Sequence, residues 1–269
     1  MTATLFTSMF WFSLLLKIAM TASIVVAASI IVERSGPFIG ALIAALPTAG
    51  GAAMIILAID HDAQFIAQST IGSMVANAVA PVFALTYAVL AQRRSLLVSL
   101  GAAFAVWLAG AFLLRLVPWT APTALLANAI VYPVTIYIAS HFLGAVKARP
   151  RVVLTTRDLA WRAGVVTLCV VTVTALSSSI GTYFSGVFAF IPVAMSSFFI
   201  ILHLRAGGPV AASVAAHVQA PLIGLTFGLL AVHLLAEVIG VWWSYLAGLA
   251  IGVAWNGLLW AWKNWRAKP

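Results

Sequence analysis

The chain has 269 residues, of which 64% are hydrophobic and only 7% charged, with a formal net charge of +9. A soluble domain of this size needs far more charge to cover its surface, so the composition excludes one. Apolar stretches of about 20 residues recur along the whole chain, each long enough to cross a hydrocarbon core of roughly 30 Å.

In chain order the apolar runs predict nine spans, at about 9–32, 37–59, 65–90, 95–117, 120–145, 159–180, 184–204, 209–234 and 237–262. The first lacks a basic leader and is longer than a signal-peptide core, so it reads as a span. The connections are short: Glu33-Arg34-Ser35-Gly36, Asp60-His61-Asp62, Gln92-Arg93-Arg94, Pro118-Trp119-Thr120 and Arg205-Ala206-Gly207-Gly208. The one longer linker runs from Lys147 to Asp158.

With nine spans, Arg34, Arg93, Arg94, Lys147, Arg149, Arg151, Arg157, Arg162, Arg205, Lys263, Arg266 and Lys268 fall on one side, 12 of the 14 basic residues. Lys17 and Arg115 are the exceptions. Positive loops stay in the cytoplasm, so the N-terminus is expected outside and the C-terminus inside. The basic residues then meet anionic headgroups, and membrane lipids rather than nucleic acid are the expected partners. Trp242, Trp243, Trp260, Trp262 and Trp265 fit an interfacial belt.

The chain also resembles itself. At a shift of 145, Lys17 falls on Arg162, Val25-Val26 on Val170-Val171, Gly36 on Gly181, Ala44 on Ala189, Pro47 on Pro192 and Ile55-Ile56-Leu57 on Ile200-Ile201-Leu202. At 140, Ser73, Ala76, Ala80 and Pro81 match Ser213, Ala216, Ala220 and Pro221; at 138, Leu108-Ala109-Gly110 matches Leu246-Ala247-Gly248. Each repeat holds four spans. The single span between them reverses the second, so the halves are inverted. The expected architecture is therefore all-α and polytopic, with 4+1+4 inverted-topology repeats. Residues 1–118 form the first repeat, 119–158 the linking helix with its basic linker, and 159–269 the second repeat. Inverted repeats are a recurring transporter construction, with the site near the midplane where they meet.

The matched prolines point to candidate site residues. A proline within a helix removes the donor for the carbonyl four residues back, so Pro81 frees that of Asn77 and Pro221 that of His217. Asn77 and His217 are themselves matched. Each half thus places a polar side chain and a freed carbonyl inside an apolar span, where polar groups face protein or water. A substrate or proton role and a helix-gluing role are both open. Gln219 lies close to His217 on another helical face. Around the second pair stand Leu46-Pro47-Thr48-Ala49-Gly50-Gly51 and Ile191-Pro192-Val193-Ala194-Met195-Ser196-Ser197. Such runs either break a helix toward a ligand or kink it with close packing. Pro47, Thr48, Pro192, Ser196 and Ser197 join Asn77 and His217 as substrate-binding candidates. Lys17 and Arg162, in the first turns of their spans, either snorkel to headgroups or guard the two mouths as gating charges.

Several chemistries lack candidates. The lone Cys169 has no disulfide partner, and no Cys/His set has metal-ligand spacing. Two Asp flanking His61 on a short loop are weak evidence for a metal. No acidic residue lies near the middle of a span, which leaves His217 as the deep group that titrates near neutrality. Hydrolase, protease and phosphate-binding motifs are missing, so no enzyme, no cofactor and no ATP are expected.

Arg34-Ser35, Ile39, Gly40, Pro47-Thr48, Ile56-Leu57, Ile66-Ala67, Ser69-Thr70-Ile71, Pro81, Phe83 and Tyr87 give the first repeat a resemblance to the GlpM-like small membrane proteins of bacteria. Those proteins have about half this length, so the chain resembles a fused, inverted pair. The resemblance implies a bacterial inner-membrane setting and brings no defined substrate.

The expectation is a secondary transporter or permease of a small neutral or anionic solute, a lipid-like one included, alternating between inverted halves. The competing class is a non-transporting scaffold or envelope-biogenesis and lipid-handling protein. The oligomeric state is left open, a homo-oligomer included.

Overall fold

The computed structural model describes residues 15, 18–23, 26–27, 48–142 and 155–266, and every element among them is helical. We number the helices α1 (Thr48–Asp60), α2 (Ala63–Ala91), α3 (Leu96–Leu114), α4 (Ala121–Phe142), α5 (Thr156–Ala189), α6 (Val193–Ala206), α7 (Gly208–His217), α8 (Gln219–Ile239) and α9 (Val241–Arg266).

Local chemistry sets the boundaries. The Asp62 side chain caps α2 by accepting from the Phe65 amide at 2.8 Å. Ser95 caps α3. Thr155 and Asp158 close a reciprocal capping box at the start of α5, which satisfies amides that a helix start otherwise leaves bare. In the second half, glycine makes the corners. Gly181, Gly207 and Gly240 have φ of 74°, 86° and 86°. Gly181 interrupts α5, Gly207 separates α6 from α7, and Gly240 separates α8 from α9. The boundary expected at residues 235–236 thus falls at Gly240, because α8 carries Glu237 three residues further before turning.

Six stretches among the described residues are long and apolar enough to cross a membrane: 63–91, 96–114, 121–140, 156–206, 208–239 and 241–265. The fourth has 51 residues. Drawn straight it would measure about 76 Å at 1.5 Å per residue, more than twice a hydrocarbon core. Gly181 divides it into two arms.

α2 is the central helix, with 72% of its most apolar window buried, against 22% for α3 and 11% for α9. It packs on α3, α4, α5, α7 and α8. Small residues permit this. A Cβ on Gly186 would strike the carbonyl oxygen of Ser69, and one on Gly72 would strike that of Tyr183. Ser73 Oγ donates across the same seam to the Gly186 carbonyl at 3.1 Å. Close backbone approach of this kind replaces the hydrophobic drive that lipid does not supply.

α2 and the α7–α8 pair run antiparallel. Ala91 abuts Gly208 at one end, Asn77 bonds the Leu222 carbonyl and Thr226 near the middle, and the Ala67 carbonyl meets His233 Nδ1 at 2.8 Å at the other end. This register brings Pro81 and Pro221 within about a helical turn of the same level. On the flanks α3 packs on α2, α9 packs on α8, and α4 touches both central elements. The α9 tryptophans 242, 243, 260, 262 and 265 are exposed near its two ends.

Candidate functional site

Where α2, α4 and α8 meet, polar side chains close a ring inside an apolar interior. Asn77 Nδ2 donates to Thr226 Oγ1 at 2.9 Å, to the Leu222 carbonyl at 3.2 Å and to Asn128 Oδ1 at 3.3 Å. Thr226 Oγ1 donates to Asn128 Oδ1 at 3.0 Å. Asn128 Nδ2 in turn donates to the carbonyls of Met74 and Ala124. Asn77, Asn128 and Thr226 are all buried.

Pro81 leaves α2 continuous but gives the Asn77 carbonyl no amide partner. Tyr132 Oη donates to that carbonyl at 3.1 Å. A side chain from α4 therefore replaces the donor that proline removed. Asn128 and Tyr132 were missed as partners by sequence reasoning. Their signal was there, since Asn128 is an amide in the middle of an apolar span, but the sequence does not say which neighbour it faces.

Pro221 has a different outcome. The helical ladder is interrupted at Val218, between α7 and α8, while Val218 itself keeps helical φ and ψ of −70° and −18° and donates to the Val214 carbonyl, and Pro221 sits in the first turn of α8. His217 is exposed at this break, and its Nδ1 lies 2.6 Å from the Ser213 carbonyl oxygen. Gln219 is the first residue of α8 and is 0% exposed, yet neither its amide nitrogen nor its amide oxygen has a hydrogen-bond partner. It shares a helical face with Leu222 and Thr226, three and seven residues on, and these two meet Asn77. Asn77 and His217, matched in sequence, thus stand in different surroundings: one in a closed interior ring, the other beside a helix break.

Pro192 lies immediately before the first residue of α6. The chain is non-helical between Ala189 and Val193, and α6 starts with no side-chain cap. Ser196 Oγ donates to the Pro192 carbonyl and Ser197 Oγ to the Ala194 carbonyl at 2.8 Å, so both hydroxyls serve their own helix. Pro47 lies outside the described residues, and Thr48 opens α1.

Lys17 lies outside the described residues. Arg162 is 5% exposed, with its guanidinium carbon 5.4 Å from the centre of the Phe198 ring on α6. Its Nε and Nη1 have no hydrogen-bond partner. Arg205 instead pairs with Asp158, joining the end of α6 to the start of α5. In the Asp60-His61-Asp62 connection, His61 stacks on Phe65 and meets Ser177 Oγ at 2.7 Å. No group of three metal-ligating side chains occurs among the described residues.

Comparison with protein families, with curated proteins and with solved structures found no match for this chain.

Proposed function

We propose that the protein is a secondary transporter or permease of a small neutral or anionic solute. It works by alternating access between inverted halves in a bacterial inner membrane, N-terminus outside and C-terminus in the cytoplasm. The resemblance of the first half to GlpM-like proteins is part of this reading. Taking the 156–206 stretch as two crossings about Gly181 yields seven crossings. α1 then supplies the end of an eighth, and the first span lies mostly outside the described residues, in keeping with nine.

The packing supports inverted halves. α2 and α7–α8, which the repeat pairs with one another, run antiparallel with their prolines level. The matched flanking helices α3 and α9 each cover one of them, and α4 touches both. Two inverted units related about the α2–α8 contact would make these neighbours.

One observation carries the transport reading: Gln219, buried and unpartnered at the break between α7 and α8. A buried amide costs free energy unless a partner arrives, and proline-interrupted helices at the meeting of inverted halves are where transporters hold their cargo. The test is a thermal-shift screen of the purified protein in detergent against small anions, sugars, amino acids and lipid headgroups. A ligand of the folded state raises stability with concentration. We expect a saturable shift that is lost in Gln219→Leu and in His217→Ala. If no member of the library shifts the melting temperature, the transport reading fails.

The closed ring of Asn77, Asn128 and Thr226 favours a second reading, a scaffold that uses these groups for packing alone. Flux separates the two. In a transporter Asn77→Ala and His217→Ala abolish flux in folded protein, whereas in a scaffold they change only stability.

A further inference from the structure

Arg162 stands six residues beyond the first residue of α5, about 9 Å along the helix axis. A residue at that depth with a long stem ordinarily sends its charge back to the headgroups. Here the side chain is 5% exposed, and two of its three nitrogens have no hydrogen-bond partner. The Phe198 ring lies against the guanidinium at 5.4 Å, and a ring face attracts a cation without accepting its N–H groups in the way an oxygen does. A buried charge held in this way is costly unless an anion joins it.

The chain has five acidic residues, Glu33, Asp60, Asp62, Asp158 and Glu237. Asp158 is taken by Arg205 and Thr155. Asp60 and Asp62 bound the α1–α2 connection, and Glu237 lies in the last turn of α8. Glu33 lies outside the described residues. Arg157, five residues before Arg162, is exposed at the start of α5, and a positive charge at a helix end near the membrane surface draws anions toward it.

We infer that Arg162 and Phe198 form an oxyanion-binding site between α5 and α6, taking a carboxylate or phosphate group whose oxygens accept from Nε and Nη1. Phe198 forms its apolar wall. The oxyanion belongs either to a soluble anion or to an anionic lipid headgroup. As the cargo's recognition group it rests on the transport reading; as a binding site it does not.

The test uses the full chain, purified in neutral detergent. Melting temperature is followed against inorganic phosphate, acetate and, in mixed micelles, phosphatidylglycerol, with phosphatidylcholine as control. We expect a saturable rise that Arg162→Met removes, while ligand-free Arg162→Met melts no lower than the parent because an uncompensated charge is gone. Arg162→Lys keeps the charge and loses the planar donor set, so its saturation midpoint shifts to about tenfold higher concentration. A rise with phosphate or acetate identifies a soluble anion; a rise with phosphatidylglycerol alone identifies a headgroup. The site is overturned if no probe shifts the parent, or if the shift survives in Arg162→Met. It is also overturned if Arg162→Met and Glu33→Gln lower the melting temperature equally and non-additively, which marks an internal ion pair. An Arg162-dependent shift without flux keeps this site and removes the transport reading. Flux indifferent to Arg162→Met keeps the transport reading and removes Arg162 as the cargo's recognition group.

Discussion

The bond from Tyr132 to the Asn77 carbonyl yields a sharp test, because proline is the reason the carbonyl is available. Tyr132 is 2% exposed and its Oη lies 3.1 Å from that oxygen. Tyr132→Phe removes one donor and leaves the shape unchanged. A net intramolecular hydrogen bond contributes about 0.5–1.5 kcal/mol, and stranding a buried group costs about 1–3. Within membranes such bonds average about 0.6 kcal/mol, because the separated helices find other partners. The Asn77 carbonyl has no partner within its own helix in either state, since Pro81 has no N–H, so we expect about 1–2 kcal/mol for the single change. Pro81→Ala restores an N–H four residues beyond Asn77. In that background Tyr132→Phe should cost about 0.5 kcal/mol or less, a coupling near 1 kcal/mol. The assay is equilibrium unfolding in mixed micelles with increasing dodecyl sulfate, followed by tryptophan fluorescence, for the parent, both single variants and the double. Equal costs of Tyr132→Phe in the two backgrounds would refute the substitution of a side-chain donor for the missing amide.

Other outcomes follow from the same packing. Gly186→Ala places a Cβ against the Ser69 carbonyl oxygen, so overpacking should lower stability by about 1–3 kcal/mol in the same unfolding assay; Gly164→Ala, with open space around its Cβ, should be neutral or better. Gln219→Leu replaces two unpartnered buried atoms with apolar ones and should raise ligand-free stability by about 1 kcal/mol or more, read as a higher melting temperature; a clear fall would mean that the amide has a partner. Thr226→Val removes both one of the three acceptors of Asn77 and the donor to Asn128, and should destabilise by about 1–2 kcal/mol, whereas Thr172→Val, exposed and bonded only within its own helix, should change little.

Much of the helical outline was legible because the interruptions are chemically abrupt. Asp60-His61-Asp62 and Gln92-Arg93-Arg94 put charge between apolar runs, and helices end there. Gly207 falls in the connection read between Arg205 and Gly208. The last boundary, expected at residues 235–236, falls instead at Gly240, because apolar character runs on through both helices and only the backbone's need for a positive φ marks the turn. The consequence of Pro221 was only partly legible. The freed carbonyl at His217 follows from the ring of proline, but a matched proline at 81 leaves α2 unbroken. What differs is the partner: Tyr132 meets the Asn77 carbonyl from another helix. The same reasoning explains Asn128 and Gln219. A polar residue in an apolar run announces its cost, but only the tertiary arrangement says whether a partner meets it.

The glycine corners have a consequence for how the chain tolerates change. Gly181, Gly207 and Gly240 pair their positive φ with ψ of 175°, 161° and 157°, a region of backbone space essentially closed to every residue with a Cβ. Gly51, Gly101, Gly164, Gly252 and Gly257 have negative φ, and nothing lies within 4 Å of the place a Cβ would take. In a population of randomly substituted chains selected only for stable insertion, the second group should drift freely while the first three remain glycine. Among the described residues, these three positions are then held as glycine by the direction in which the backbone leaves them, without any charge or close packing at the Cβ site.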